Sequence, residues 1–351
     1  MSKKRFAAGI LAALMAFTAL AVVLAGSVSA KPKAAKATFQ AALVSDVGRF
    51  NDKSFNQSQL AGLNRAKKVL KIKVVPIQSN STGEYVPNLT TAVRKGSNIV
   101  LAAGFLLASS LKDVAAQFPK THFTITDDFV SSSVGDFKGA DVHNIEGLTY
   151  ATQENSYLIG CMAAMVAKAK YSGTPTIGVV GGIKIPPVDT FLAGYRAGAK
   201  KCVPNSVVKI GYSQDFVKQD LCKNVAEDQI AAGAKVEFAV AGLCGLGALS
   251  AAKDHGLFGV GVDRDQSFLG TYILTSAVKR VDTGVFNVIK GAKTGKFKGG
   301  TNIVFNLKNK GVALGKFSPR LTGKLKTQVL AKIATLRKQI ISGKIKPPTS
   351  V

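Results

Sequence analysis

Apolar runs of five to seven residues alternate along the chain with longer stretches of helical periodicity. Short apolar runs bounded by turn residues are typical of strands buried on both faces, and apolar residues spaced 3.6 apart are typical of helices that cover a sheet. Ten strands are predicted, at residues 38–44, 72–77, 99–103, 122–126, 144–149, 176–180, 207–211, 236–241, 258–262 and 272–276.

Helical patterns follow most of these strands, at residues 54–69, 85–95, 110–118, 153–168, 189–200, 216–232, 247–255 and 283–294. This alternation predicts an α/β fold with parallel sheets covered on both faces. Ten strands exceed one ordinary sheet, so two lobes are expected. We predict that lobe 1 comprises residues 38–148 and 273–351 and that lobe 2 comprises residues 149–272. In this prediction, residues 272–280 cross back to lobe 1 and residues 301–317 add a hairpin there.

Acidic residues follow three predicted strands, although the chain has only 20 Asp or Glu against 47 Lys or Arg. They are Asp46, the pair Asp127 and Asp128, and Asp263. Ligands of open parallel sheets bind at the carboxyl ends of the strands. A single Asp in this position is often only a cap or a turn residue. Three acids at equivalent positions favour a shared ligand cleft.

The first 30 residues have the pattern of a secretory signal peptide. A basic segment (3–5) precedes an apolar segment (6–25) and a small-residue cleavage site (28–30). An uncleaved anchor is the alternative, because about 20 apolar residues can span a bilayer. We expect residues 31–37 to be a tether and the protein to be exported, in the periplasm or at the cell surface. No Cys near the cleavage site offers a point for lipid attachment.

The four cysteines, Cys161, Cys202, Cys222 and Cys244, are even in number, which predicts two disulfides in an exported chain. Three pairings are possible. Cys202 and Cys222 flank a predicted strand and the start of the next helix in one lobe, which favours that pair, and Cys161 and Cys244 would pair only if their surroundings abut. The cysteines lack metal-binding spacing and the three His are scattered, so no metal site is expected.

The C-terminal part of the chain is strongly basic, with 15 Lys or Arg and no acid in residues 283–351. One helical face in it is apolar and consists of Leu325, Val329, Ile333, Leu336 and Ile340. This pattern favours an amphipathic helix docked on its own domain with a solvated basic face. Attraction to an anionic wall polymer or membrane surface is the alternative. Nucleic-acid binding is disfavoured, because the chain is expected to be exported and interleaved aromatic residues are missing.

Motifs of the common enzyme classes are missing. Neither a P-loop nor a G-x-S-x-G motif occurs, and the segment GLCGLG at 242–247 departs from the dinucleotide fingerprint. Its glycines would instead let the backbone approach a ligand or a helix. The loop GGIKIPPVDTF at 181–191 leads to Phe191, although an isolated Phe is more often a core residue. Without a nucleophile or a metal cluster, we expect neither an enzyme nor a cofactor.

Six segments in order resemble the basic membrane protein family of ABC-transporter substrate-binding proteins, whose best-known member is the purine nucleoside receptor. They are SDVGRFNDKSFNQSQLAGL, GFLLASSLKDVAAQFPKTHFTITDD, EGLTYATQENSYLIGCMAAMVA, TIGVVGGIKIPPVDTFLAGYRAGA, AVAGLCGLGALSAAKDHG and GVDRDQ followed by ILTSAVKRVD. The resemblance covers residues 38–317. It implies a type I periplasmic-binding-protein fold, with two Rossmann-like lobes, three crossovers and a nucleoside between the lobes.

The resemblance also implies partners and site residues. The partners are a purine nucleoside and an ABC permease, and we expect a monomer. The matching motifs place seven residues at the ligand: Asp46, Phe55, Asn56, Asp127, Phe191, Asp263 and Lys279. Asp127 is chosen over Asp128 by alignment of the ITDD segment.

Elementary chemistry gives these side chains roles in a nucleoside site. Phe55 and Phe191, on loops of opposite lobes, could sandwich a base. Asp263 could accept hydrogen bonds from two ribose hydroxyls while Lys279 compensates its charge. The Asn56 amide, a donor and an acceptor, suits the edge of a purine. The alternative functions are a ligand sensor or polyanion-binding surface protein that uses the basic C-terminal segment, and an enzyme acting on nucleosides.

Overall fold

The computed structural model describes residues 38–351. The predicted signal peptide and tether lie outside the described residues. Within residues 38–351, no helix combines the length and the apolar character needed to cross a membrane.

Lobe 1 is built on a parallel sheet of six strands in the order β11-β5-β4-β3-β1-β2. Its strands are β1 (Gln40–Ser45), β2 (Lys73–Ile77), β3 (Ile99–Ala103), β4 (His122–Thr126), β5 (Ile145–Tyr150) and β11 (Asn302–Phe305). The helices of this lobe are α1 (Phe55–Leu70), α2 (Tyr85–Arg94), α3 (Ala108–Gln117) and α8 (Val281–Lys293).

Lobe 2 is built on a second six-stranded sheet in the order β12-β10-β9-β8-β6-β7, in which only β12 runs antiparallel to its neighbour. Its strands are β6 (Thr176–Gly181), β7 (Val207–Tyr212), β8 (Val236–Val240), β9 (Phe258–Asp263), β10 (Ile273–Lys279) and β12 (Val312–Leu314). Its helices are α4 (Thr152–Lys170), α5 (Pro186–Cys202), α6 (Gln219–Ala231), α7 (Gly245–Asp254) and α9 (Gly323–Ile341).

The predicted elements are confirmed, because all ten strands and all eight helices are present within a few residues of the expected ends. The central strands of both sheets are buried, as expected for continuous apolar runs in parallel sheets. Every residue of β3 and of β8 is buried. The chain passes between the sheets three times, after β5, after β10 and after β11.

The predicted lobe boundaries are wrong for the C-terminal part. Strand β10 does not cross back to lobe 1, since it pairs in parallel with β9 in the second sheet. Strands β11 and β12 form no hairpin in lobe 1 but join different sheets. The reason is that an apolar strand has the same pattern in sequence whichever of the two sheets it joins. Only α8 and β11 return to lobe 1, where α8 packs on α1.

Two disulfides are present, as expected, but the favoured pairing of Cys202 with Cys222 is wrong. Cys161 pairs with Cys202 and Cys222 pairs with Cys244, with Cα atoms 5.2 and 5.6 Å apart. Helix packing decides the pairing: Cys161 on α4 faces the end of α5, and Cys222 on α6 faces the start of α7. Helices α4 and α5 approach so closely that a Cβ on Gly198 would lie 1.8 Å from the Tyr157 carbonyl oxygen.

The apolar face of α9 is docked, which confirms the first interpretation of the basic C-terminal segment. Val329, Ile333, Leu336 and Ile340 are buried, and the helix packs against α4 in lobe 2. The four lysines of α9 are exposed.

Candidate functional site

A cavity opens between the carboxyl ends of the two sheets, where parallel α/β sheets bind ligands. It encloses about 580 Å³, counting its opening to solvent. Both lobes contribute to its walls: the ends of β1, β3, β4 and the start of α1 from lobe 1, and the ends of β8, β9, β10 and the start of α5 from lobe 2.

The lobe 1 wall is organised by two buried carboxylates. Asp46, directly after β1, accepts hydrogen bonds from the Gly48 amide (2.8 Å) and from Asn56 Nδ2 (2.6 Å). Asp52 accepts from the backbone amides of Ser54, Asn56 and Gln57 at 2.8–3.0 Å, so it caps the first turn of α1. These bonds hold Phe55, the first residue of α1, at the cavity.

Two further acids adopt left-handed backbone conformations at the ends of their strands. Asp127 follows β4 with φ 71°, and Asp263 ends β9 with φ 65°. Asp tolerates this region better than most residues because its short side chain can hydrogen-bond locally. The resulting sharp turn presents both carboxyl groups to the cavity.

Lys279, the last residue of β10, crosses the cleft from lobe 2 and forms an ion pair with Asp127 of lobe 1. Its side chain is only 3% exposed. Its Nζ lies 4.9 Å from the ring centroid of Phe55, 5.3 Å from that of Tyr150 and 5.6 Å from that of Phe191. The ammonium group is therefore held by one carboxylate and three aromatic rings.

Asp263 connects the lobes in a second place. Its Oδ2 accepts a hydrogen bond from Ser54 Oγ at 2.5 Å, although the two residues are 209 positions apart in sequence. Lys279 forms its ion pair with Asp127, and its charge also opposes the rise in the pKa of Asp263, in line with the expected compensation of this carboxylate.

Burial raises the pKa of three of these carboxyl groups to about 6. For Asp46, hydrogen bonds from Asn56 and Gly48 oppose this rise; for Asp52, its three backbone hydrogen bonds do so. For Asp263 the opposing groups are Lys279 and Ser54. All three are mostly ionised above pH 7, so the cavity carries negative charge in a chain whose formal net charge is +27.

The structure brings all seven sequence-predicted residues to this one cavity. Their surroundings differ from expectation in two respects. Phe55 and Phe191 lie on helices α1 and α5, not on loops, and Phe191 also packs edge-on against Phe238 in the core. The Asn56 side-chain amide already donates a hydrogen bond to Asp46, while its Oδ1 has no hydrogen-bond partner.

Other lining residues were not predicted as ligand contacts, namely Asp52, Phe105, Leu106, Pro187 and Phe216. Asp52 lies just before the helical pattern of residues 54–69, a position typical of a helix cap, and it does cap α1. The glycine-rich segment closely approaches a helix, one of its two expected roles. Gly242 lines the cavity, and a Cβ on Gly247 would lie 1.8 Å from the carbonyl oxygen of Gln219 at the start of α6.

Comparison with known proteins gives consistent matches over the same residues. The family model of the PnrA-like ABC transporter substrate-binding proteins matches residues 39–350. The ABC transporter nucleoside-binding protein BmpA of Lactococcus lactis is 32% identical, with 99% of each chain covered. A CD4+ T-cell-stimulating antigen of Listeria monocytogenes is also 32% identical, with 88% of each chain covered.

Solved structures agree with the fold. An ABC transporter solute-binding protein from Aeropyrum pernix superposes with a TM-score of 0.76 at 27% identity, covering 89% of this chain and 93% of that chain. The two-lobed architecture is thus the type I fold of periplasmic solute-binding proteins. Taken with the family match over residues 39–350, this shows that the chain belongs to the PnrA-like family of ABC transporter substrate-binding proteins.

Proposed function

We propose that the protein binds purine nucleosides in the cleft and delivers them to an ABC importer outside the cytoplasm. The observation that carries the proposal is that aromatic rings and a carboxylate from both lobes line one cavity: Phe55 from lobe 1, and Phe191 and Asp263 from lobe 2. The nucleoside-binding name of the Lactococcus lactis relative supports the same ligand class.

Each part of a nucleoside has a matching group. The base contacts Phe55 and Phe191, and base–aromatic stacking contributes about 1–3 kcal/mol per ring. The ribose hydroxyls donate to Asp263, and the unpartnered Asn56 Oδ1 accepts from an N–H of the base. Closure of the two lobes around the ligand is supported by the Ser54–Asp263 and Lys279–Asp127 contacts, which already join them.

Mass spectrometry of small molecules released by denaturing the purified protein tests the ligand class directly. Calorimetry with inosine, guanosine, adenosine, uridine and ribose then tests specificity. We expect purine nucleosides to bind and free ribose not to bind measurably. A released sugar or amino acid, with no nucleoside binding by the emptied protein, would contradict the proposal.

Substitution of Asp263 by Asn tests the role of the carboxylate while keeping a residue that tolerates positive φ. The loss of two charge-assisted hydrogen bonds, each about 1.5–3 kcal/mol, should weaken nucleoside binding at least about 100-fold. Phe191→Leu should cost less, about 10-fold, because one ring face is lost while the contact with Phe238 is largely refilled. The surface variant Asp254→Asn is the matched control, and its affinity should equal that of the wild type.

The exposed lysines of α9 support a second role, attraction to anionic polymer or lipid. Lys324, Lys332 and Lys338 are exposed and form no ion pair within residues 38–351. Sedimentation with vesicles of anionic lipid, compared with neutral vesicles, should show binding that falls steeply between about 50 and about 500 mM salt. Equal sedimentation with both vesicle types would remove this role.

A further inference from the structure

A second cavity adjoins the first at the mouth of the cleft. It lies between the segment 127–136 of lobe 1 and the start of α5 in lobe 2, and it encloses about 820 Å³ counting its opening. Phe105, Asp127 and Pro187 line both cavities, so the two spaces meet at these three residues. A ligand seated in the first cavity can therefore extend into the second.

The charged residues that line this second cavity are all acidic. Asp127, Asp128 and Asp136 line it, and none of its lining residues is Lys, Arg or His. Two cations contact its lining residues from outside: Lys279 pairs with Asp127, and Lys112 binds the Asp136 backbone carbonyl, not the carboxylate. Four acids line the first cavity and two more the second, so six of the chain's 20 acidic residues face this cleft. Lys279 is the one lysine that lines either cavity, and it is already paired with Asp127.

Asp128 is the least satisfied of these groups. It is 8% exposed, its Oδ1 accepts from the Phe129 amide at 2.8 Å, and its Oδ2 has no hydrogen-bond partner. Burial raises its pKa to about 7. A buried carboxylate oxygen without a partner is costly, and a cationic donor is the partner that lowers this cost most.

The apolar surface beside it fits an alkyl chain. The Phe129 side chain lines the cavity and is 51% exposed, and Pro186 and Pro187 face it from lobe 2. A short chain of methylene groups lying on these side chains would bring a terminal ammonium to the carboxylates. A terminal phosphate or carboxylate would meet only like charge there.

We propose that the second cavity is a subsite for a cationic substituent, an aliphatic amine carried by a nucleoside whose base and ribose occupy the first cavity. This inference rests on the proposed nucleoside function. It extends the ligand class from plain nucleosides to amine-bearing nucleosides, for which Asp128 is the specificity-determining residue.

Calorimetry with matched ligand pairs tests the subsite on the whole mature chain. One pair is 5′-amino-5′-deoxyadenosine and adenosine; the other is N6-(6-aminohexyl)adenosine and N6-hexyladenosine. The two attachment points cover both orientations of the nucleoside. In at least one pair, the amine should bind at least about 10-fold more tightly than its neutral partner. This ratio should be larger at pH 8 than at pH 6, because Asp128 ionises between them while the amine stays charged.

Asp128→Asn should bring this ratio close to 1, while Asp254→Asn, which also removes one carboxylate but at a distant surface position, should leave it unchanged. If adenosine and N6-hexyladenosine bind but neither amine binds more tightly than its neutral partner, the subsite is overturned and the proposed function stands. No binding of any of the four compounds would overturn both.

Discussion

A phosphate added to the ligand is expected to weaken binding strongly, even though the protein as a whole is highly cationic. Asp46, Asp52, Asp127 and Asp263 line the first cavity together with a single ammonium, that of Lys279. With all groups ionised the local net charge is −3. Long-range attraction by the basic surface is screened over about 8 Å in physiological salt, so the local charge decides the affinity.

The magnitude follows from Coulomb's law. At about 10 Å and an effective dielectric constant of about 20, two unit charges repel by about 1.7 kcal/mol. A phosphate dianion facing even one uncompensated carboxylate therefore loses about 3 kcal/mol, before any cost of dehydration. We expect GMP to bind at least about 100-fold more weakly than guanosine, which corresponds to about 2.7 kcal/mol.

Calorimetry with guanosine and GMP at pH 7.5 measures this ratio. At pH 5.5 the ratio should shrink, because Asp46, Asp52 and Asp263 protonate around pH 6 and the phosphate loses part of its charge. Asp127→Asn should also shrink it, since that change removes one negative charge and releases Lys279. Asp254→Asn, which alters a surface ion pair, should not. Equal affinity for guanosine and GMP in the wild type would refute this electrostatic description of the site.

Three further predictions concern stability. Removing the Cys161–Cys202 disulfide by double Ala substitution should lower the free energy of unfolding by about 4 kcal/mol, since it closes a loop of 41 residues; chemical denaturation with and without reductant measures this, and an unchanged midpoint would contradict it. Burial raises the pKa of Glu237 on β8, so the folded state keeps a proton that the unfolded state loses above about pH 4.5, and wild-type stability should fall with rising pH relative to Glu237→Gln. Parallel pH profiles for these two proteins would contradict it. Deleting residues 324–351 should abolish cooperative unfolding, because four buried apolar side chains of α9, each contributing about 1.5–3 kcal/mol, are lost. As a control, Lys332→Gln should change the free energy of unfolding by less than about 0.5 kcal/mol. A stable truncated protein would show that the docked face is dispensable.

The cleft could be predicted from the sequence because residues at the ends of parallel strands lie at a known edge of the sheet. An acid after an apolar run in an α/β pattern lies at the carboxyl edge of a sheet whatever the strand order, so Asp46, Asp127 and Asp263 could be grouped before the structure was known. The membership of β10 could not be predicted in this way. Its apolar run fits a strand of either sheet, and only its pairing with β9 and β12 decides between them.

Contacts between helices could not be predicted from the sequence either. Cys161 and Cys202 are 41 residues apart and meet because α4 and α5 pack closely, a proximity that sequence separation does not encode. The partner of Lys279 was missed for a related reason, since it lies across the cleft at Asp127. Pairings between lobes depend on how the sheets face each other.

The left-handed backbone of Asp127 and Asp263 restricts how this site can change during evolution. At positive φ, most other residues cost about 1–2 kcal/mol, and only Gly and Asn replace Asp without much strain. Neither Gly nor Asn can reverse the charge of these positions. A descendant that takes a new ligand would therefore acquire its specificity mainly through lining residues with ordinary backbone conformations, such as Pro187 and Phe216, while the acidic edges of the two sheets persist.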